Sequence, residues 1–454
     1  MAIKRKAMSK PPPARILPSN SLGNGTIPAT SYFVNRIWSK DKAFSSSNLS
    51  IPWNVRYTTL MTHHKTDYAI IHAEILAESQ PLLIQDGGIL VVDGKIQEIF
   101  PDSQQAADKA RQQGLEIIDA GRAWLGPGLI DMHIHGCGGR DTGEQDLQTA
   151  LETMAEFLCQ RGITSFQPAV FPSVETMTKT QAALEASRTA AYHVCSVYNE
   201  GPFIAPEKKG GLPGESLRSF TTDYMAQLLS FRHPVTGRPL LGTMTVAPEL
   251  EGADTAWEMA REAGARIAWG HSAAYADELP PRAGVHLTHL FNAMNGIDHR
   301  RPGLVIIPFL QQFQDATYEL IADTVHVNQL TMEFLVRSLG TERLCLISDA
   351  MAAAGMGPGE SVYLGRQVIC DGRVSRYKEG NILIGSAMLI HDTGRQLVEA
   401  GLIDVAGFFR IASINPARVL GLTDRGAIEV GRRADLALLD KELKVQAVFV
   451  GRRD

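Results

Sequence analysis

Gly128-Leu129-Ile130-Asp131-Met132-His133-Ile134-His135 is a short apolar run that ends in two histidines. Residues two apart on a strand leave the same face, so both imidazoles can reach one point. Seven further runs have the same build: Ile163 to Val170, Val194 to Glu200, Thr243 to Ala247, Arg266 to His271, Val285 to Leu290, Glu319 to His326 and Leu344 to Asp349. Helical stretches separate them, and that alternation implies βα units in a parallel sheet. Eight such strands are the number that closes a (β/α)8 TIM-type barrel. The polar residues sit at the strand ends: His133 and His135 on the first, Glu200 on the third, His271 on the fifth, His289 on the sixth, His326 on the seventh and Asp349 on the eighth. Barrel enzymes draw their catalytic groups from the C-terminal ends of several strands, which converge on one mouth.

Imidazole nitrogens and carboxylate oxygens suit zinc, iron or a related divalent ion. His133 and His135 can share one ion. Glu200 has two oxygens and can bridge two ions, with His271 and His289 completing a second site. Asp349 follows the apolar run Leu344 to Ser348, so it emerges from a buried strand, where an unpaired carboxylate is costly. The plainer reading of Asp349 is a helix N-cap before Ala350 to Ala354. The functional one is an acid/base beside a water whose pKa the ion lowers from 15.7 toward roughly 7.

Outside the barrel, Ala69 to His72, Gly88 to Val92 and Lys95 to Ile99 read as strands, with Asp93-Gly94 a hairpin turn. Gly426 to Gly431, Ala434 to Asp440 and Val445 to Val450 read the same way near the other end. Short hairpins are marginal alone, so both ends are expected to join in one small β-sandwich domain. The expected organisation is a tail over 1–60, the first part of the small domain over 61–126, the barrel over 127–424, and the second part over 425–454. Residues 1 to 60 hold nine Lys or Arg and a single acid, Asp41, with no apolar segment after the basic start. They read as a disordered tail or an artefactual extension, with Met61 as the true start, rather than as a secretory signal. Gly136-Cys137-Gly138-Gly139 and Gly126-Pro127-Gly128 lack dinucleotide-fingerprint spacing and read as tight turns.

The hydrophobic fraction of 44% and charged fraction of 20% are those of an ordinary globular protein. A formal net charge of −5 favours neither nucleic acid nor a membrane surface as partner, and no apolar run reaches the roughly 18 residues that span a bilayer. Five scattered cysteines (Cys137, Cys159, Cys195, Cys345, Cys370) form no paired framework, which suits buried thiols in a reducing cytoplasm.

Pro127-Gly128-Leu129-Ile130-Asp131-Met132-His133-Ile134-His135-Gly136 resembles the first-strand motif of the amidohydrolase superfamily. Glu200-Gly201-Pro202-Phe203, Lys208-Lys209-Gly210, Gly270-His271-Ser272, Thr288-His289-Leu290-Phe291-Asn292-Ala293-Met294, Asp323-Thr324-Val325-His326, Ser348-Asp349-Ala350 and Gly385-Ser386-Ala387 follow in order. Together they resemble the N-acetylglucosamine-6-phosphate deacetylase family, from about residue 68 onward. The stretch around His289 is specific to that family; Pro-Gly-x-Ile-Asp and Gly431 to Ala437 are shared across the superfamily.

The resemblance implies a hydrolase that converts N-acetylglucosamine 6-phosphate to glucosamine 6-phosphate and acetate. It implies one or two divalent ions, zinc foremost and iron, manganese or cobalt as alternatives. Glu200, His271 and His289 would hold the principal ion, His133 and His135 a second, and Asp349 would be the acid/base. Gly211, Leu212, Asn292, Ala293, Ile384 and Gly385 would meet the amino sugar phosphate, with Arg300 and His326 at its phosphate. Arg300 would reach across from the neighbouring subunit of a homodimer. Leu212 departs from the family, which places there a histidine that polarises the acyl carbonyl; losing one such donor can cost about 10²–10³ in rate. That departure keeps two alternatives open: a different N-acyl amino sugar such as N-acetylgalactosamine 6-phosphate, or a silent sugar-phosphate-binding relative.

Overall fold

The computed structural model describes residues 61–63, 66–77 and 83–451, the first three by backbone alone. The expectations for residues 1–60 lie outside this range. One parallel sheet contains β1 (Leu129–Ile134), β2 (Ile163–Val170), β3 (Val197–Asn199), β4 (Leu241–Val246), β5 (Arg266–Trp269), β6 (His286–Leu287), β7 (Thr317–Ile321) and β8 (Leu344–Ile347). Their order in space is their order in sequence, and every step is parallel. The seam between β8 and β1 is closed beyond the strand ends, where Asp349 N–H donates to the His133 carbonyl and His135 N–H to the Ala350 carbonyl, both at 2.9 Å. All residues of β1, β2 and β8 are buried, as strands covered on both sides must be.

Several of the outer helices start on a side chain that accepts a backbone N–H, among them Asp146 before Leu147–Cys159, Ser173 before Val174–Ala186, Thr221 before Thr222–Ser230 and Asn328 before Gln329–Leu339. The crossovers after β5 and β6 correct the expectation of a regular helix in each, since they hold only 3₁₀ turns, Ala276–Glu278, Leu304–Phe309 and Gln311–Phe313. Pro280, Pro281, Pro302 and Pro308 explain this, because proline removes an N–H and clashes with the preceding turn. The seventh strand is also earlier than its run suggested. It ends at Ile321, so His326 stands in the loop beyond it.

Strands from both ends of the chain join in a second sheet, ordered Met61–His63, Val445–Phe449, Leu436–Leu439, Trp124–Pro127, Tyr68–Leu76, Leu83–Val92, Lys95–Phe100, with Glu116–Asp119 also paired to Tyr68–Leu76. Tyr68, Ile75, Val91, Leu125, Leu436 and Phe449 share its core. The Asp93-Gly94 turn forms as expected, with φ of 54° and 68°, the pair a type I′ hairpin requires. Residues 426–431 form no strand, contrary to the expectation. Gly426 and Gly431 take φ of 84° and 91°, which bends the chain out of a ladder.

A four-stranded antiparallel sheet follows β8: Gly359–Tyr363, Arg366–Cys370, Val374–Tyr377 and Leu383–Ser386. It is tied to the end of β8, where Ser386 N–H donates to the Asp349 carbonyl and Met351 N–H to the Ser386 carbonyl, both at 2.9 Å. Gly385 is required at this junction, since a Cβ there would lie 2.6 Å from the Asp349 carbonyl oxygen.

Candidate active site

The strand-end residues converge. His271, His289 and Asp349 each stand two residues past a strand, at φ of 46°, 25° and 48°. Non-glycine residues rarely take this conformation, and it turns the three side chains inward over the barrel axis. His133 and His135 come from the end of β1, and Glu200 follows β3 directly. Glu200 lies between the histidines: Oε1 is 2.7 Å from His271 Nε2 and 2.9 Å from His289 Nε2, and Oε2 is 3.3 Å from His135 Nε2. Asp349 Oδ1 is 3.2 Å from His135 Nε2 and 3.8 Å from His133 Nε2.

The donor set fits a divalent cation. Two groups, His133 with His135 and Glu200, and Glu200 with His271 and His289, each bring their ligand atoms within 4.8 Å of one another. His271 Nδ1 lies 2.7 Å from the Lys208 carbonyl, which only accepts, so the hydrogen of a neutral ring is on Nδ1. Its Nε2 then presents a lone pair to Glu200 Oε1 and to His289 Nε2, 3.0 Å away. Converging lone pairs repel unless a cation lies among them. His133 Nε2 and Asp349 Oδ1 are buried without a hydrogen bond and face the same point. Burial would raise the Glu200 carboxyl pKa, but His271, His135 and His289 hold it well below the usual range. Burial would lower that of His135, yet Asp349 and Glu200 push it up to about 10. The cluster attracts positive charge.

A cavity of 250 Å³ opens over this centre. His135, Glu200, His271, His289 and Asp349 line its floor; Gly210, Gly211, Leu212, Pro213, Asn292, Ala293 and His326 line one wall; Met351, Tyr363, Leu364, Tyr377, Leu383 and Ile384 complete it. A larger cavity of 360 Å³ near Pro248, Trp269 and Arg282 contains none of the strand-end residues, so size alone would mislead. His326 keeps its place at the site despite leaving the strand, because its Nδ1 is held 2.6 Å from Asp323 Oδ2. Gly385 does not line the cavity but fixes the backbone behind Asp349. Arg300 is exposed on a turn whose N–H groups are collected by Asp298, and it does not line the cavity of this chain. Leu212 does line it and brings no donor.

Sequence reading missed several contributors. Glu319, on β7, bonds His133, His286 and the His289 backbone. Tyr363, from the added sheet, places its hydroxyl 3.4 Å from His135 Nδ1. Asp131 is buried, and its carboxylate accepts Ser348 N–H at 3.2 Å; burial pushes its pKa up to about 7 despite bonds from Ser348 and His133. The signal available for Glu319 and Asp131 was an acid inside an apolar strand. The five cysteines are buried and unpaired, as expected, and no helix among the described residues is long and apolar enough to cross a membrane.

Residues 124–453 match the amidohydrolase family. N-acetylglucosamine-6-phosphate deacetylase of Mus musculus is 30% identical over 366 residues, covering 78% of this chain and 87% of that protein. N-acetylgalactosamine-6-phosphate deacetylase of Escherichia coli O157:H7 is 32% identical over 375 residues, covering 81% and 94%. Among solved structures, N-acetylglucosamine-6-phosphate deacetylase of Pasteurella multocida superposes with a TM-score of 0.73 at 25% identity, over 85% of this chain and 98% of that one. A Mycobacterium smegmatis variant enzyme, solved with N-acetyl-D-glucosamine 6-phosphate, superposes with a TM-score of 0.71 at 26% identity, over 85% and 98%. The family match covers most of the chain and the barrel agrees with the solved structures: the chain belongs to the amidohydrolase family.

Proposed function

We propose that this chain is a metal-dependent deacetylase that converts N-acetylglucosamine 6-phosphate to glucosamine 6-phosphate and acetate. The observation that carries the reading is the convergence of His135, His271, His289, Glu200 and Asp349 on the floor of one cavity, with His133 buried directly behind them. Glu200, His271 and His289 would hold one divalent ion and His133 and His135 a second; a nitrogen-rich set of this kind suits zinc first, then iron, manganese or cobalt. When bound, such an ion supplies Lewis acidity, polarising the acyl carbonyl and making water acidic enough to react near neutral pH.

Asp349 takes the proton of the attacking water at its unbonded Oδ1 and returns it to the departing amine nitrogen. Asn292, Ala293, Gly211, Leu212 and Ile384 enclose the sugar. His326, its Nδ1 tied to Asp323, leaves Nε2 as the ring nitrogen for the phosphate. Arg300 has the planar donor fork that suits phosphate. Its exposure next to Ile297, itself 53% exposed, supports a homodimer in which it serves the neighbouring subunit's cavity. Unpaired cysteines support a cytoplasmic setting.

The test is acetate release by metal-free protein reloaded with zinc, iron or manganese. Failure with all three sinks the reading in favour of a silent binder. The Escherichia coli relative supports a second substrate, so kcat/KM for the galactosamine epimer belongs in the same assay. Equal rates with and without the 6-phosphate would remove His326 and Arg300 from substrate binding.

A further inference from the structure

Glu319 lies in the middle of β7 with no solvent exposure, between Tyr318 and Leu320. A carboxylate is costly to bury without partners. Its partners are at the metal centre or directly behind it. Oε2 accepts the backbone N–H of His289 at 3.0 Å and lies 3.2 Å from His133 Nδ1. Oε1 lies 3.3 Å from His286 Nε2, whose Nδ1 is 2.8 Å from Thr317 Oγ1. One carboxylate therefore touches both ligand groups, through the ring of His133 in one and the main chain of His289 in the other.

The geometry points to Glu319 as the positioning residue that sets His133 and His289 for metal binding, an inference that rests on reading this cavity as a metal centre. Oε2 already meets an N–H that can only donate, so it faces His133 as an acceptor. His133 then keeps its hydrogen on Nδ1 and turns the lone pair of Nε2 toward the centre. A ligating imidazole bonded in this way is fixed in tautomer and orientation and is made more basic. His271 and His135 have other anchors, the Lys208 carbonyl at 2.7 Å and the Tyr363 hydroxyl at 3.4 Å. His289 Nδ1 has no partner, so on the side away from Glu200 that ring has no anchor of its own and is placed through its backbone. At φ 25° that backbone is strained, and the bond to Glu319 helps to hold it.

The test is zinc uptake by metal-free wild type and Glu319→Gln, followed by calorimetry, with melting of both proteins empty and loaded. Glu319→Gln is expected to weaken at least one uptake step by about 10–100-fold. The empty variant should melt no lower than empty wild type, because an uncharged amide is cheaper to bury. Uptake at wild-type affinity overturns the assignment, as does an equal fall in melting temperature in both states, which marks a purely structural role. If Glu319→Gln is insoluble, Glu319→Asp decides: it keeps the charge but draws it back by one methylene, and unweakened uptake overturns the assignment. Wild type that binds no divalent ion sinks the metal centre itself, which is a separate failure.

Discussion

Non-glycine residues with positive φ gather mainly at the barrel mouth and in the sheet built from both chain ends, and they do different things there. In the sheet they turn or bulge the chain and their polar groups are paired: His72 (φ 51°) with Asp119 at 3.0 Å, Arg122 (φ 65°) with Glu74 at 2.7 Å, and Asp93 (φ 54°) through its N–H to Asp67 at 2.7 Å. At the mouth His271, His289 and Asp349 are equally unusual, yet His289 Nδ1 and Asp349 Oδ1 are buried without a hydrogen bond. The same backbone state serves chain reversal in one region and the inward turn of His271, His289 and Asp349 in the other. Among these positive-φ residues the buried polar atoms without a hydrogen bond are at the mouth, and a fold with no use for them would pair them.

That contrast predicts opposite responses to perturbation. Metal removal by a chelator should abolish acetate release and also lower the melting temperature, with both restored by zinc; binding at 1,000 times Kd is worth about 4 kcal/mol. Intact turnover after verified metal loss would break the contrast. Asp349→Asn should lower kcat/KM by at least about 10²–10⁴-fold with unchanged metal content. Near-normal rates would remove Asp349 from the chemistry; the expected role of a helix cap is already excluded, since no helix starts at Ala350. The sheet should show the reverse pattern. Phe449, fully buried and stacked on Tyr68 at 5.2 Å between centroids, should cost about 3–5 kcal/mol of stability as Phe449→Ala while KM holds. Denaturant titration beside steady-state kinetics checks both halves. Gly94→Ala should cost about 1–3 kcal/mol, because the turn needs φ 68° and the new Cβ would lie 2.8 Å from the Gly451 backbone. A change in activity from Gly94→Ala would join regions that the structure keeps apart.

Much of the candidate site was legible because each strand-end histidine or acid sits where an apolar run stops, and apolar runs are local patterns. The missing parts are non-local. Glu319 and His133 are separated by 186 positions, and no short window places them together. Tyr363 comes from edge-exposed strands in the added sheet, with too little apolar alternation to be noticed. The 3₁₀ crossovers after β5 and β6 went unread because their prolines were outweighed by the regularity of the surrounding units.

Eight buried strands, a turn at Asp93-Gly94 and a set of histidines and acids at strand ends follow from sequence alone, since hydrophobic period and turn chemistry act over a few residues. The tertiary structure decided which acids pack against the strand-end histidines, that Arg300 lies outside the cavity of its own chain, and that Leu212 lines the wall without a donor. These depend on closing the ring of strands, which brings remote side chains within hydrogen-bond range and leaves Asp349 Oδ1 and His133 Nε2 facing each other unbonded.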